Sequence, residues 1–437
     1  MIDKTWDETW KLLLELAQNL ITINTANPPG NELPAMRAIG ALLETNGLES
    51  RIWESAPNRG NLYAVLKGSG RKKPVVLMSH LDVVPARAGE WEMDPFGGAV
   101  KDGFLWGRGA IDMKGLAAIH IMNYLLLARE KKERSRDIIL LAVADEEAGA
   151  KYGARAVIEN HPEIMEAECL LTEGGHGQII GGRPAYSCQV AEKGVYWLKL
   201  TASGPPGHGS MPHSRNCLAR MIRTVREVLG QPTPLKISEA MDGYFNRLAE
   251  IFPDRTVYQN PLAEENRKVL AQMMEEDRGL YAQLHNTISP TMLHAGDKVN
   301  VIPSSCEAFL DCRLLPGEDP CAFLELIRQI AASYEVQMEI VENSPASSSQ
   351  LDTELYRSME NAVRSEKPEA VLLPFLSAGA TDSRYFRRQG MICYGFEPFL
   401  LGPEEISRMH GINERISLEN LQQGMRIFWN LMDKLTD

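Results

Sequence analysis

Val75-Val76-Leu77-Met78-Ser79-His80-Leu81-Asp82 and Ile138-Ile139-Leu140-Leu141-Ala142-Val143-Ala144-Asp145-Glu146-Glu147 share one plan: an unbroken apolar run that ends in acidic residues or histidine. Continuous apolar runs of this length read as strands covered on both faces, as in a parallel sheet. Between them, Gly115 to Arg129 reads as a helix, and Asn61-Leu62-Tyr63-Ala64-Val65-Leu66 adds a further strand. Upstream, Trp6, Trp10, Leu13, Leu14 and Ala17 recur at helical spacing, Asn27-Pro28-Pro29-Gly30-Asn31 breaks the chain, and a second helix runs from about Leu33 to Thr45. Alternation of this kind implies an α/β fold with a mostly parallel sheet.

The pattern changes near residue 190. Tyr196 to Thr201 is strand-like, Asn216 to Leu229 helical, Glu307 to Leu314 strand-like, Cys321 to Ala332 helical and Val336 to Val341 strand-like again. This order describes a small α+β sandwich inserted into the first domain. The expected division is a catalytic domain from 1–190 and 345–437, with 191–344 inserted as a lid or dimerisation domain. Two extra amphipathic helices fall at 235–285, where Met241, Tyr244, Phe245, Leu248 and Phe252 line one face and Leu270, Met273, Met274, Tyr281 and Leu284 the other.

Composition limits the function classes. The 437 residues carry 58 acidic against 46 basic side chains, a net charge of −12, which argues against a phosphate-backbone binder and against attraction to an anionic membrane. The length suits two or three domains at roughly 150 residues each. Met1-Ile2-Asp3-Lys4-Thr5-Trp6-Asp7 lacks the apolar core of a signal peptide, and no run approaches the roughly 18 apolar residues of a membrane span. Seven scattered cysteines without CxxC spacing read as reduced thiols of a cytoplasmic protein rather than a disulfide framework.

Chemistry concentrates at the ends of the apolar runs. There is no HExxH, no GxSxG elbow and no phosphate-binding GxxxxGK[ST] loop. His80 and Asp82 lie on one side of an extended segment, so Asp82 can steady the ring while His80 binds a metal; a buried structural pair is the alternative. Asp112, bracketed by Gly107, Gly109 and Gly115, precedes a helix and is either a ligand or an N-cap. Glu146 and Glu147 point in different directions, which allows one to bind metal and the other to act as general base; a solvated acidic loop is the plainer reading. Glu173, in Thr172-Glu173-Gly174-Gly175, and His410, in Met409-His410-Gly411, complete the set, although His410 alone would read as an ordinary histidine. Open α/β sheets place their sites at such strand ends.

In this order the segments resemble the dinuclear zinc hydrolases that include aminoacylase, acetylornithine deacetylase, succinyl-diaminopimelate desuccinylase and bacterial glutamate carboxypeptidase. The resemblance spans nearly the whole chain. It implies that His80 and Glu173 bind one metal, Glu147 and His410 the other, and that Asp112 bridges them. Glu146 would be the general base and Asp82 the group that orients His80, and the Asp112-Met113 peptide bond would be cis. Two Zn²⁺ per chain are implied; nitrogen and oxygen ligands without thiolate suit zinc, with Co²⁺ or Mn²⁺ able to use the same site.

The resemblance also implies that His208, in Gly204-Pro205-Pro206-Gly207-His208-Gly209, steadies the oxyanion, from a partner subunit in dimeric relatives; His213 reads as structural. Asn300, Arg313 and Gly379 match positions that contact substrate, with a turn or packing role as the alternative for each. A homodimer through the inserted domain is compatible with this pattern. Closure about linkers near residues 190 and 345 would bring His208 and Arg313 towards the metals. The length of the insertion and Thr381-Asp382-Ser383-Arg384 look more like the carboxypeptidase S and N-acyl-amino-acid hydrolase branch.

The expected function is metal-dependent hydrolysis of an amide bond in a small N-acyl amino acid or short peptide with a free carboxylate. The alternatives are a di- or carboxypeptidase and a non-catalytic metal-binding homologue, and the complete ligand set with Glu146 argues against the latter.

Overall fold

Alternate residues of the Val75–His80 and Ile138–Val143 strands enter two different cores. Val75, Leu77, Ile138, Leu140 and Ala142 join one apolar cluster, whereas Val76, Met78, Ile139, Leu141 and Val143 join another on the opposite face. The two-residue alternation of a strand therefore explains why every position in these runs is apolar. The structure, a computed structural model, describes residues 2–130 and 132–437.

The large sheet runs in the order Arg51–Ala56, Arg59–Leu66, Ile138–Val143, Val75–His80, Cys169–Thr172, Ile392–Gly395, Arg183–Glu192 and Ser347–Ser348. Its centre is parallel: Val75–His80 pairs in parallel with Ile138–Val143 and Cys169–Thr172, and the latter with Ile392–Gly395. Antiparallel pairs flank this centre on both sides. Val371–Ser377 adds a further parallel strand beside Arg183–Glu192. Since the four central strands point the same way, the loops after them emerge along one edge.

Helices cover both faces. Lys114–Arg129 is buried along nearly its whole length, consistent with apolar residues on all its sides. Leu33–Thr45 matches the expected helix and starts with Pro34 in its first turn, where the missing N–H costs nothing. No helix among the described residues is long and apolar enough to cross a membrane. All seven cysteines are free, and six of them are buried.

A second sheet of four antiparallel strands has the order Thr287–Ala295, Ser305–Leu314, Gly194–Ser203 and Gln337–Ser344. Cys217–Leu229 and Pro320–Ser333 pack on it, with Met221, Ile327, Leu198 and Leu310 in a separate core. Asn216 caps the first of these helices by accepting from Ala219 N at 3.2 Å.

Residues 235–285 behave differently from the sequence expectation. They form four helices, Glu239–Ile251, Thr256–Gln259, Arg267–Glu276 and Arg278–Leu284. Their apolar residues Met241, Phe245, Leu248, Tyr258 and Leu270 belong to the core of the large sheet, not to that of the small one. Glu239–Ile251 lies on Val371–Ser377, and a Cβ on Gly243 would come within 2.8 Å of Pro374. The chain therefore passes between the two sheets near 193, between 229 and 239, near 286 and near 345.

Candidate metal centre

Three ligand candidates lie at the ends of central strands of the large sheet and two come from beside helices. His80 closes Val75–His80, Asp145-Glu146-Glu147 follows Ile138–Val143, and Glu173 follows Cys169–Thr172. Asp112 lies just before Lys114–Arg129, and His410 follows Pro403–Arg408. Asp145 turns the chain in the left-handed region at φ 69°, and His410 does so at φ 59°. The Asp112-Met113 peptide bond is cis, as the resemblance implies. Gly395 leaves room for the Glu173 loop, because a Cβ there would sit 2.2 Å from Glu173 O.

The side chains converge. His80 Nε2 lies 3.1 Å from Asp112 Oδ1 and 3.1 Å from Glu173 Oε2. His410 Nε2 lies 3.0 Å from Asp112 Oδ2 and 3.4 Å from Glu147 Oε1. His80, Asp112 and Glu173 form one group, and Asp112, Glu147 and His410 a second; within each the donor atoms lie within 4.8 Å of one another. Asp112 thus belongs to both, one oxygen to each. Glu147 Oε1 is buried and, beyond its 3.4 Å approach to His410 Nε2, has no partner. Three carboxylates facing two imidazoles, with such an orphaned oxygen, fit the donor set of hard or borderline divalent cations.

Asp82 lies behind this set. His80 Nδ1 is 3.0 Å from the Asp82 carbonyl oxygen and 3.5 Å from Oδ1. The Asp82 carboxylate also accepts from Glu146 N and Glu147 N, each at 3.1 Å, so it fixes the acidic loop as well as the imidazole.

Burial and charge set the protonation tendencies. Burial opposes a charged His80, but the Glu173 charge and the hydrogen bonds His80 donates to Asp112, Asp82 and Glu173 outweigh it and raise its pKa well above the usual value. Bonds to Asp112 and Glu147 raise His410 to about 10. Burial pushes Glu146 well above the ordinary carboxylate range, with the charges of Glu173, Asp382 and Glu147 adding to it. Burial likewise raises Glu173, aided by Asp112. Burial works against Asp112 ionisation too, yet its bonds to His410 and His80 hold it well below the usual range. His410 is 53% exposed, so one side of the centre opens to solvent.

The four residues expected to meet substrate keep other company. His208 is exposed on the short strand Gly207–His208, paired with Val301–Ile302, and its Nδ1 lies 2.7 Å from Ser210 Oγ. Asn300 is brought beside it, its carbonyl accepting from Gly209 N at 2.8 Å. His213 is half-buried. Arg313 grips Asp311 through Nε at 2.7 Å and Nη2 at 3.1 Å. Gly379 is exposed, its N–H donating to Ser377 Oγ at 3.1 Å. Among the described residues no hydrogen bond or ion pair joins these four to the ligand set.

Several supporting residues escaped the sequence reading. Glu414 is fully buried and accepts from Ile111 N at 2.8 Å, Gly109 N at 3.1 Å, Asp112 N at 3.2 Å and Arg108 Nη1 at 2.6 Å. It thereby holds the loop that carries Asp112. Asn27 donates to Asp82 Oδ2 at 2.8 Å and to Asp145 Oδ1 at 3.1 Å, and Arg59 clamps Asp145 and Glu32, both at 2.8 Å. Glu397 receives Gly174 N at 2.9 Å, beside Glu173. The Pro-Pro-Gly break around Asn27 was the one local sign of this layer.

Comparison with known proteins agrees with this geometry. Residues 76–434 match the family described as peptidase family M20/M25/M40. The chain is 29% identical over 390 residues to the N-fatty-acyl-amino acid synthase/hydrolase PM20D1 of Mus musculus, covering 85% of this chain and 76% of the relative. It is 27% identical over 374 residues to the probable carboxypeptidase S-like 2 of Dictyostelium discoideum, covering 82% and 71% respectively. Its fold superposes on the M20 family metallo-carboxypeptidase Sso-CP2 of Sulfolobus solfataricus with a TM-score of 0.74 at 17% identity, over 96% of this chain and 98% of that one. Human carnosine dipeptidase 1 gives a TM-score of 0.67 at 15% identity, over 98% and 96%. The two ligand groups sharing Asp112 and the match across most of its length lead to one conclusion: the chain belongs to peptidase family M20/M25/M40.

Proposed function

We propose that this chain hydrolyses the amide bond of an N-acyl amino acid or short peptide bearing a free carboxylate. The observation that carries the reading is Asp112, one oxygen turned to His80 and the other to His410, with Glu146 on the adjoining loop. In this reading His80 and Glu173 hold one divalent ion, Glu147 and His410 the other, and Asp112 both. Zinc is the proposed ion, with cobalt or manganese as substitutes. Such ions supply Lewis-acid polarisation of the scissile carbonyl and a lowered pKa for water.

The remaining work falls to side chains. Glu146 takes the proton of the attacking water and passes it to the leaving nitrogen. Asp82 keeps the His80 ring in register and anchors the Glu146 amide. His208 is assigned to the oxyanion, and Asn300, Arg313 and Gly379 to amide and backbone contacts. Residues 191–344, less the helices that pack on the large sheet, would act as a lid and as the surface for a homodimer. Free cysteines support a reducing, cytoplasmic setting.

The relatives' names include both an acyl-amino-acid hydrolase and carboxypeptidases, so a di- or carboxypeptidase is the second reading. A panel of N-acetyl, N-succinyl and N-fatty-acyl amino acids with dipeptides, with and without chelator, separates them. Turnover of dipeptides alone would replace the deacylase reading. Glu146→Ala should lower kcat by about 10²–10⁴ with metal content unchanged; full activity in that variant would refute the assigned base.

A further inference from the structure

Three of the loops that carry the ligand set are held from behind by residues 23–32, the segment between the helices Ile2–Thr22 and Leu33–Thr45. It runs beside the chain that follows His80. Val83 N donates to Thr25 O at 3.2 Å, Asn27 N to Val83 O at 2.9 Å, and Thr25 Oγ1 to Leu81 O at 2.5 Å. From the Asp112 loop the buried Lys114 reaches back, its Nζ donating to Ile23 O at 2.7 Å. At the far end Glu32 is gripped by Arg59, which also bonds Asp145 and Pro29 O. Gly30, at φ 82°, makes room for that guanidinium, since a Cβ there would lie 2.3 Å from Arg59 Cζ.

Asn27 is the point where these holds meet. Its side chain is buried, and Nδ2 alone donates to two carboxylates, Asp82 Oδ2 at 2.8 Å and Asp145 Oδ1 at 3.1 Å. Asp82 in turn accepts from Glu146 N and Glu147 N, and Asp145 is the residue before them. The turn bearing the proposed base is thus gripped at its first residue and at its next two amides, and one nitrogen joins the grips. A side-chain amide offers two donors on one nitrogen without adding charge, which suits two buried acids that must face each other. An apolar side chain there would leave both carboxylates short of a donor. The family match begins at residue 76, so this segment and Arg59 both lie outside it.

We infer that residues 23–32 act as a strap that sets the relative positions of the three loops, with Asn27 the positioning residue for Glu146. The kinetic half of its test rests on the hydrolase reading above; the exchange half does not.

The test compares wild type with Asn27→Leu, of similar shape but without donors, and Asn27→Asp, which sets a third carboxylate against the two. In metal-loaded protein, amide hydrogen exchange across residues 144–149 should quicken roughly tenfold or more in Asn27→Leu, and further in Asn27→Asp, with Ile138–Val143 unchanged. On an N-acyl amino acid, kcat should fall roughly 10- to 100-fold with KM within a few fold. Unchanged exchange at 144–149, or a rise shared evenly with the strand, would overturn the strap. An undiminished kcat would overturn the role of Asn27 towards Glu146. If Asn27→Leu does not fold, Asn27→Ser, too short to reach both carboxylates, carries the same comparison. Should wild type hydrolyse no N-acyl amino acid or dipeptide, the hydrolase reading fails and the exchange result alone decides the strap.

Discussion

Replacing Glu414 should separate the role of the buried scaffold from that of the ligands themselves. The Arg108 and Glu414 side chains are 3% and 0% exposed, with Nη1 and Oε2 2.6 Å apart. Glu414→Ala strands that guanidinium and also removes the acceptor of three N–H groups, at Gly109, Ile111 and Asp112. Breaking a buried ion pair from one side costs about 3–5 kcal/mol, and each orphaned amide adds about 1–3 kcal/mol where water does not replace the acceptor. The expected loss is therefore at least about 4 kcal/mol. Glu414→Gln keeps one acceptor oxygen and should lose about half as much. Loosening the loop should also weaken metal binding by about 10- to 100-fold, since Asp112 N is one of the groups released. Urea unfolding of chelator-treated protein measures the first effect and calorimetric metal titration the second. Glu404→Ala provides the control: that carboxylate is 62% exposed, bonded to Arg408 at 2.5 Å, and its loss should leave the unfolding midpoint close to that of wild type. A Glu414→Ala protein within about 1 kcal/mol of wild type and with unchanged metal affinity would refute the scaffold argument.

Other outcomes follow from the same structure. Chelation removes any ion held by the set of Asp112, Glu147, Glu173, His80 and His410, so stability should fall by about 4 kcal/mol relative to metal at a thousand times its Kd; melting curves that ignore chelator and added metal would contradict this. His120 is fully buried, with Nδ1 2.9 Å from Ser79 Oγ, and burial lowers its pKa to about 3. The unfolded state, at about 6.5, then binds more protons, so the stability of neutral His120 is complete above pH 6.5 and is lost as pH falls towards 3, roughly 2 kcal/mol of it by pH 5. His120→Leu should remove that slope from urea unfolding at pH 7 and pH 5, and an unchanged slope would exclude His120 as its source. Phe245, 1% exposed, should cost about 3–5 kcal/mol when replaced by alanine; a loss under about 1 kcal/mol would deny its place in the core of the large sheet.

Much of this arrangement was legible in the sequence, for reasons that differ from element to element. The runs at Val75 and Ile138 announce themselves because both faces of the central strands are covered, leaving no polar position. The convergence of His80, Asp112, Glu147, Glu173 and His410 was legible as a candidate set because metal chemistry restricts residue types and strand ends gather loops. The Met and aromatic faces within 235–285 were equally visible, but periodicity states only that a face is buried, not which sheet receives it. Glu414 was silent for another reason. Its partners are backbone amides about 300 residues away, and an amide acceptor has no residue-type signature.

The return of residues 235–285 to the large sheet has a mechanical consequence. A segment inserted through two linkers has freedom to bend and to twist about them. Here the chain passes between the sheets at four places, and Lys193 Nζ ties two of them together by donating to Ala282 O at 2.8 Å, His285 O at 2.7 Å and Thr287 Oγ1 at 3.2 Å. Rotations that do not share an axis through all four passages must stretch at least one. The four passages thereby restrict how the small sheet can turn against the large one, and with it the approach of His208 to Asp112.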